Sequence, residues 1–77
     1  MTEKIEEFLL QNGFNKRLVG EEWYKPAANG KGEFVYTKDG IMLFHFYECY
    51  CDFLNVDGIA LTLDTYKNKL DQLELGL

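Results

Sequence analysis

The chain has 77 residues, of which 8 are basic and 13 acidic, so that its net charge at pH 7 is -5. A chain of this length holds enough apolar residues for one core, and we expect a single globular domain over residues 1–77. Binding to phosphate backbones requires clustered Lys and Arg, so the acidic balance argues against direct nucleic-acid binding. The longest apolar run covers only residues 41–44, whereas a membrane-spanning helix needs about 20 apolar residues.

The N-terminus and the cysteines indicate a cytoplasmic protein. Residues 1–7 contain three acids and no basic stretch leading into an apolar segment, which a secretory signal would need. We therefore expect a complete and unprocessed chain. Cys49 and Cys51 are two positions apart, too close for an unstrained disulfide, and we expect free thiols in a reducing compartment.

Helical spacing predicts a first amphipathic helix near residues 2–12, with Thr2 as its N-cap. Gly13 suits the left-handed position that ends a helix, and Phe14 would then fold back on Leu9. The apolar residues at helical spacing are Ile5, Phe8 and Leu9.

After a polar link over residues 15–20, the aromatic segment 21–25 predicts an edge strand, because Pro26 cannot donate a hydrogen bond to a neighbouring strand. Residues 27–32 are rich in Gly and Ala and include Asn29, which predicts a loop.

Alternating side chains predict two further strands, over residues 33–37 and 41–47. Lys38-Asp39-Gly40 lies between them, and Asp-Gly between two strand-forming segments is a strong hairpin signal. The alternation continues through residues 48–56, where a bulge near Glu48 would give a separate fourth strand.

A second amphipathic helix is predicted over residues 62–77, with Thr62 or Asp64 as its N-cap. The apolar positions of this helix are Leu63, Tyr66, Leu70 and Leu73.

These elements predict an α+β fold with the order α-β-β-β-(β)-α. Short connections favour an antiparallel meander sheet, and the two apolar helix stripes favour packing of both helices on one face of that sheet. The order of elements, with Asn12-Gly13-Phe14 after the first helix, resembles the double-stranded-RNA-binding-like fold of HicA-type toxins. The resemblance covers the topology and this tripeptide. Those toxins have a catalytic His near the first strand, where this chain has Glu21-Glu22-Trp23. The resemblance therefore implies no activity here.

Metal binding and catalysis have weak support in the sequence. His45, Cys49 and Cys51 could point to one side of a strand, but they would span roughly 20 Å at ~3.3 Å per residue. Structural zinc sites also draw paired ligands from two segments, and no second pair exists. The chain has no Ser and no nucleophile elbow. We therefore expect a non-enzymatic protein without a metal or cofactor, and a metal-binding or thiol-based protein remains a distant alternative.

Aromatic residues and charge supply the functional hypotheses. Twelve aromatic residues are many for so small a core, so either some rings lie exposed on an open sheet face or both faces are covered. Exposed Tyr and Trp are typical of protein interfaces, which favours a protein-binding module, as monomer or homodimer. Alternatively, the acidic C-terminal half mimics nucleic acid and blocks a basic nucleic-acid-binding protein, as in inhibitors from phages or other mobile elements. The interface candidates are Trp23, Tyr36, Tyr47, Tyr50, Asp64, Asp71 and Glu74.

Overall fold

The computed structural model describes residues 3–28, 30–47 and 58–76. In chain order its elements are α1 (Glu3–Gln11), β1 (Asn15–Lys16), β2 (Trp23–Pro26), β3 (Gly32–Tyr36), β4 (Met42–Phe46) and α2 (Ile59–Glu74). The four strands form one antiparallel sheet in the order β1-β2-β3-β4. The predicted α+β fold, an antiparallel meander sheet with one helix before it and one after it in the chain, is therefore confirmed.

The end of α1 has the predicted geometry. Gly13 has a φ of 86° and donates its N–H to the carbonyl of Leu10 at 3.1 Å. Phe14 donates to the carbonyl of Leu9 at 2.9 Å. This pair of bonds defines a Schellman motif, and it turns Phe14 back so that both Phe14 and Leu9 are buried. The expected N-cap Thr2 lies outside the described residues.

The hairpin between β3 and β4 also forms where the sequence predicts it. Thr37 donates its N–H to the carbonyl of Ile41 at 2.9 Å, and Gly40 donates to Thr37 at 3.0 Å. Gly40 has a φ of 83°, the left-handed conformation that closes a three-residue hairpin loop. Residue 37 thus pairs with residue 41, which sets the register of the whole β3–β4 pair.

The first part of the sheet differs from the prediction. Asn15 and Lys16, expected in a link, pair with Tyr24 and Trp23 as β1, so β2 is not an edge strand. Pro26 belongs to β2, and the next residue, Ala27, donates its N–H to β3. Since successive N–H groups alternate in direction, the nitrogen of Pro26 points away from β3, to the side where β1 has no residue. The optional fourth strand over 48–56 lies outside the described residues.

Both helices pack on one face of the sheet, which we call the inner face. The pairing of the strands places Trp23, Phe34, Tyr36, Met42 and Phe44 there, and all five belong to or pack against one apolar cluster with the helices. Tyr66 of α2 lies at its centre. The helix residues buried in the cluster are Ile5 and Leu9 of α1 and Ile59, Leu63, Tyr66 and Leu70 of α2, with Phe8 and Leu73 packed against it.

The start of α2 differs from the predicted cap. The helix begins at Ile59, three residues before the expected N-cap Thr62, and residue Gly58 precedes it in a left-handed conformation without a side-chain cap. Burial of Ile59 against the cluster extends the apolar stripe by one turn, so packing rather than a capping side chain fixes this end. Within the described ranges, neither helix has the length and apolar character needed to cross a bilayer.

Candidate functional site

The second face of the sheet, the outer face, carries a cluster of polar and aromatic side chains. Because side chains alternate along a strand, the register that places Phe34 on the inner face places Glu33 and His45 opposite each other on the outer face. Tyr24 of β2 lies on the same face, paired with Val35. Arg17, directly after β1, and Tyr47, directly after β4, complete what we call the outer-face cluster.

Glu33 is the centre of the outer-face cluster. It is the buried charged residue of the described chain, with 6% of its surface exposed. Its carboxylate accepts a hydrogen bond from the guanidinium of Arg17, and its Oε1 accepts one from the hydroxyl of Tyr47 at 3.3 Å. A buried carboxylate is costly unless it is paired in this way, so the three side chains form one mutually dependent unit.

Arg17 ties the β1–β2 connection to the sheet. Its backbone N–H donates to the carbonyl of Glu22 at 2.7 Å, and its Nε lies 3.7 Å from the Glu22 carboxylate. The guanidinium also stacks over Tyr24, 4.4 Å from the ring centroid. A planar guanidinium can make the ion pair and the stacking contact at once. Arg17 therefore connects the end of β1 to Tyr24 of β2 and to Glu33 of β3.

His45 is the exposed member of the outer-face cluster. Its Nδ1 lies 3.9 Å from Glu33 Oε2, and 64% of its side chain is exposed. The ring meets that of Tyr47 edge to face, with 6.5 Å between centroids. Chemically the cluster offers an exposed imidazole beside a carboxylate, and ring edges that a partner can contact. Nucleophilic catalysis would need an activated nucleophile beside the base, and the outer-face cluster as described supplies none.

Apolar side chains border these polar groups. Leu43 is 37% exposed and Tyr47 is 53% exposed, whereas Val35, between Tyr24 and Leu43 in the register, is buried. The β1–β2 connection adds Leu18 and Val19, both almost fully exposed. The outer face thus combines a buried ion pair with exposed apolar and aromatic surface.

Two of the predicted interface residues are on the wrong face. Trp23 and Tyr36 pair with each other on the inner face and are buried under the helices, with 5% and 3% of their surfaces exposed. The expectation that their rings are exposed is therefore wrong, because the helix stripes cover the face on which β2 and β3 place them. Tyr47 lies on the outer face as an exposed ring, and Tyr50 lies outside the described residues.

The predicted acidic residues lie on α2. Asp64 and Asp71 are exposed and seven residues apart, which puts them in line on the helix, about 10 Å apart along its axis. Lys67 lies between them on the same flank, one turn from each. Glu74 accepts a hydrogen bond from the hydroxyl of Tyr36 at 3.4 Å. The row of negative charge on α2 is therefore interrupted by a cation.

Tyr36 links stability to pH. Burial raises the pKa of its phenol, and the carboxylates of Glu74 and Asp71 raise this pKa further. The unfolded chain then releases the proton at about pH 10, before the folded chain does. Alkali is therefore expected to lower the free energy of unfolding from about pH 10 upward, and Tyr36→Phe should reduce that loss.

Urea unfolding at about pH 8 and about pH 11 measures this effect. Tyr24→Phe, which removes a half-buried phenol on the other face, is the matched control. If the free energy of unfolding fell by the same amount between the two pH values in both variants, Tyr36 would not be the source of the alkaline effect.

Of the three candidate metal ligands, only His45 lies among the described residues. His45 is present on the outer face, while Cys49 and Cys51 lie outside the described residues. Within ranges 3–28, 30–47 and 58–76, no three His, Cys, Asp or Glu side chains are grouped so that they could hold a metal ion.

Sequence reasoning missed Glu33 and Arg17. The position of Glu33 could have been predicted, because the hairpin loop at residues 38–40 sets the register of the two strands. Counting outward from this loop pairs residue 33 with residue 45. Arg17 has no such signal, since β1 has only two residues, both exposed, and therefore no apolar alternation.

Comparisons with known proteins identify no relative. No protein-family model matches the chain, and no curated protein sequence or solved structure is significantly similar to it. The geometry of the described residues is therefore the basis for a functional proposal.

Proposed function

We propose that this protein is a small, non-enzymatic protein-binding module that binds its partner through the outer face of the sheet. The observation that carries the proposal is the combination of exposed Leu43 and Tyr47 with the ion pair of Arg17 and Glu33 on a face that neither helix covers. Tyrosine and arginine are typical of interface hot spots, and Leu43 adds apolar contact area beside them.

The hydrogen bonds that hold Tyr47 in place support this function. Tyr47 is held at both ends, since its backbone N–H donates to Lys31 at 3.0 Å and its hydroxyl donates to Glu33. An ordered tyrosine loses little conformational entropy when a partner covers it, so more of its contact area contributes to affinity. The expected partner is a protein with an apolar patch for Leu43 and Tyr47 and a hydrogen-bonding group for His45.

Replacement of Tyr47 by alanine tests the proposal. We expect Tyr47→Ala to weaken partner binding about 10- to 30-fold, which corresponds to roughly 1–2 kcal/mol for a hot-spot ring. The partner is first isolated from native lysate with the full chain as bait, and its affinity for each variant is then measured by calorimetry. Tyr47→Phe separates the two contributions, because it keeps the ring and removes the hydrogen bond to Glu33.

Leu61→Ala is the matched control. Leu61 is a 73% exposed apolar residue on α2, so its removal changes surface hydrophobicity without touching the outer face. Unchanged affinity for Leu61→Ala together with weakened affinity for Tyr47→Ala supports the proposal. Equal affinities of the wild-type chain and the Tyr47→Ala variant would contradict it.

The same experiment distinguishes the nucleic-acid-mimic alternative. Binding by mimicry would weaken steeply with salt and would be lost when Asp64, Asp71 and Glu74 are neutralised together. We favour the outer face because Lys67 interrupts the acidic row on α2.

A homodimer would appear instead as a molecular mass that rises with protein concentration in light scattering. Tyr47→Ala should abolish this rise. The proposal places the module in the cytoplasm, in keeping with its two closely spaced cysteines.

A further inference from the structure

A cavity of about 210 Å³ lies on the other side of the molecule from the outer-face cluster, between the β2–β3 loop and the start of α2. Its walls are largely apolar and include Pro26, Ala27, Phe34 and Ile59. Pro26 is exposed, so the cavity reaches the surface. An apolar cavity of roughly 150 Å³ in a protein accepts a benzene ring, so this space is large enough for one aromatic ring with a short polar substituent.

One cation borders the cavity. Lys25 projects from the inner face of β2, and its Nζ donates a hydrogen bond to the hydroxyl of Tyr66 at 3.0 Å. The ammonium lies 5.7 Å from the centroid of the same ring. In the part of the chain that the structure describes, no carboxylate forms an ion pair with Lys25. The charge therefore has a neutral oxygen and a ring as its partners, and an anion would complete its coordination.

The hydroxyl of Tyr66 adds a second donor. Because its oxygen accepts from Lys25, its own proton is available to another acceptor. The first residue of α2, Ile59, also lines the cavity, and no side chain caps this helix end. The positive end of the helix thus adds a potential of the same sign as Lys25. The cavity therefore has one ammonium group and one hydroxyl donor among walls that are largely apolar.

We propose that this cavity binds a small monocarboxylate that carries one aromatic ring. The carboxylate lies against Lys25 and the hydroxyl of Tyr66, and the ring lies among the apolar walls. Small ligand sites have this composition, with apolar walls and a few convergent polar groups that fix orientation. The site is independent of partner binding at the outer face, with which it shares no residue.

Benzoate is the probe for this site. Titration of the full chain with sodium benzoate, followed by amide chemical shifts at constant ionic strength, should give saturable shifts around Ala27, Ile59 and Tyr66. For a ligand of this size we expect a dissociation constant on the order of 1 mM. Benzyl alcohol, which has a similar shape without the charge, should bind the same residues about tenfold more weakly.

Variants separate charge from packing. Lys25→Met keeps most of the aliphatic stem and removes the charge, so it should weaken benzoate about tenfold and leave benzyl alcohol unchanged. Lys38→Met, on the exposed β3–β4 loop, is the matched control and should leave both affinities unchanged. Tyr66→Phe should weaken benzoate through loss of one donor.

Three results would overturn the proposal. They are the absence of saturable shifts with benzoate in the wild-type chain, equal benzoate affinity in Lys25→Met and the wild type, and equal weakening by Lys38→Met. Unchanged binding of benzyl alcohol to Lys25→Met shows that the variant is folded with its cavity intact. If Lys25→Met also fails to bind benzyl alcohol, the proposal is tested with Tyr66→Phe instead. A benzoate affinity of Tyr66→Phe equal to that of the wild type would then overturn the proposed site.

Discussion

Replacing Gly32 by alanine is expected to lower the free energy of unfolding by about 3 kcal/mol. A Cβ at this position would overlap the backbone oxygen of His45 and would lie 2.7 Å and 2.9 Å from two ring carbons of Phe44. A backbone oxygen in a paired strand cannot move without separating β3 from β4, so the strain cannot be relieved by a side-chain rotation. For a domain of this size the loss corresponds to a decrease in Tm of roughly 15 °C.

Gly30→Ala is the matched control for Gly32→Ala. Gly30 has a φ of 73°, and a Cβ added there would have no heavy atom within 4 Å. Its replacement therefore costs only the strain of the left-handed backbone, about 1 kcal/mol. Thermal and urea unfolding of both variants measure the difference. A smaller loss for Gly32→Ala than for Gly30→Ala would show that close packing at Gly32 does not limit the pairing of β3 with β4.

Removing the ring of Tyr66 is expected to destabilise the protein by about 4 kcal/mol. This side chain is 7% exposed. Its ring makes edge-to-face contacts with Phe8 at 6.1 Å, with Phe14 at 5.3 Å and with Phe34 at 5.3 Å between centroids. These rings come from α1, from the turn after it and from β3. Tyr66→Ala would therefore open a cavity where three parts of the chain meet.

Two substitutions bracket the effect of Tyr66→Ala. Tyr66→Phe keeps the ring contacts and removes the hydrogen bond from Lys25, which should cost about 1 kcal/mol. Leu61→Ala, on the exposed side of the same helix, should change stability by less than about 0.5 kcal/mol. If Tyr66→Ala cost no more than Tyr66→Phe in urea unfolding, the ring would not be the centre of the core.

Local sequence patterns predicted the elements whose signals lie within a few residues. The spacing of Ile5 and Leu9 predicted α1, and Gly13 predicted its end, because a helix stop depends on one backbone conformation. The Asp39-Gly40 pair predicted the β3–β4 hairpin for the same reason. The apolar stripe that contains Tyr66 predicted α2, although its first turn was missed.

The candidate interface residues were predicted less well than the helices and the hairpin, because their exposure depends on which sheet face the helices cover. Alternation correctly separated the two sets of side chains on β3 and on β4, but it assigns neither set to the core. The sequence therefore offers Tyr36 and Tyr47 alike as candidates for an open face, whereas the structure buries Tyr36 and exposes Tyr47. Counting from the hairpin turn pairs Glu33 with His45, but no neighbouring residue indicates that Glu33 is buried.

The two helices, the β3–β4 hairpin and the α+β order can be predicted from the sequence, because helix periodicity, strand alternation and turn conformation are set by neighbouring residues. Only the folded chain shows that Asn15 and Lys16 form a strand, that Gly32 must lack a side chain and that Arg17 reaches Glu33. Each of these depends on atoms brought together from separate segments. Contacts of that kind arise only when the chain packs, so no local pattern records them.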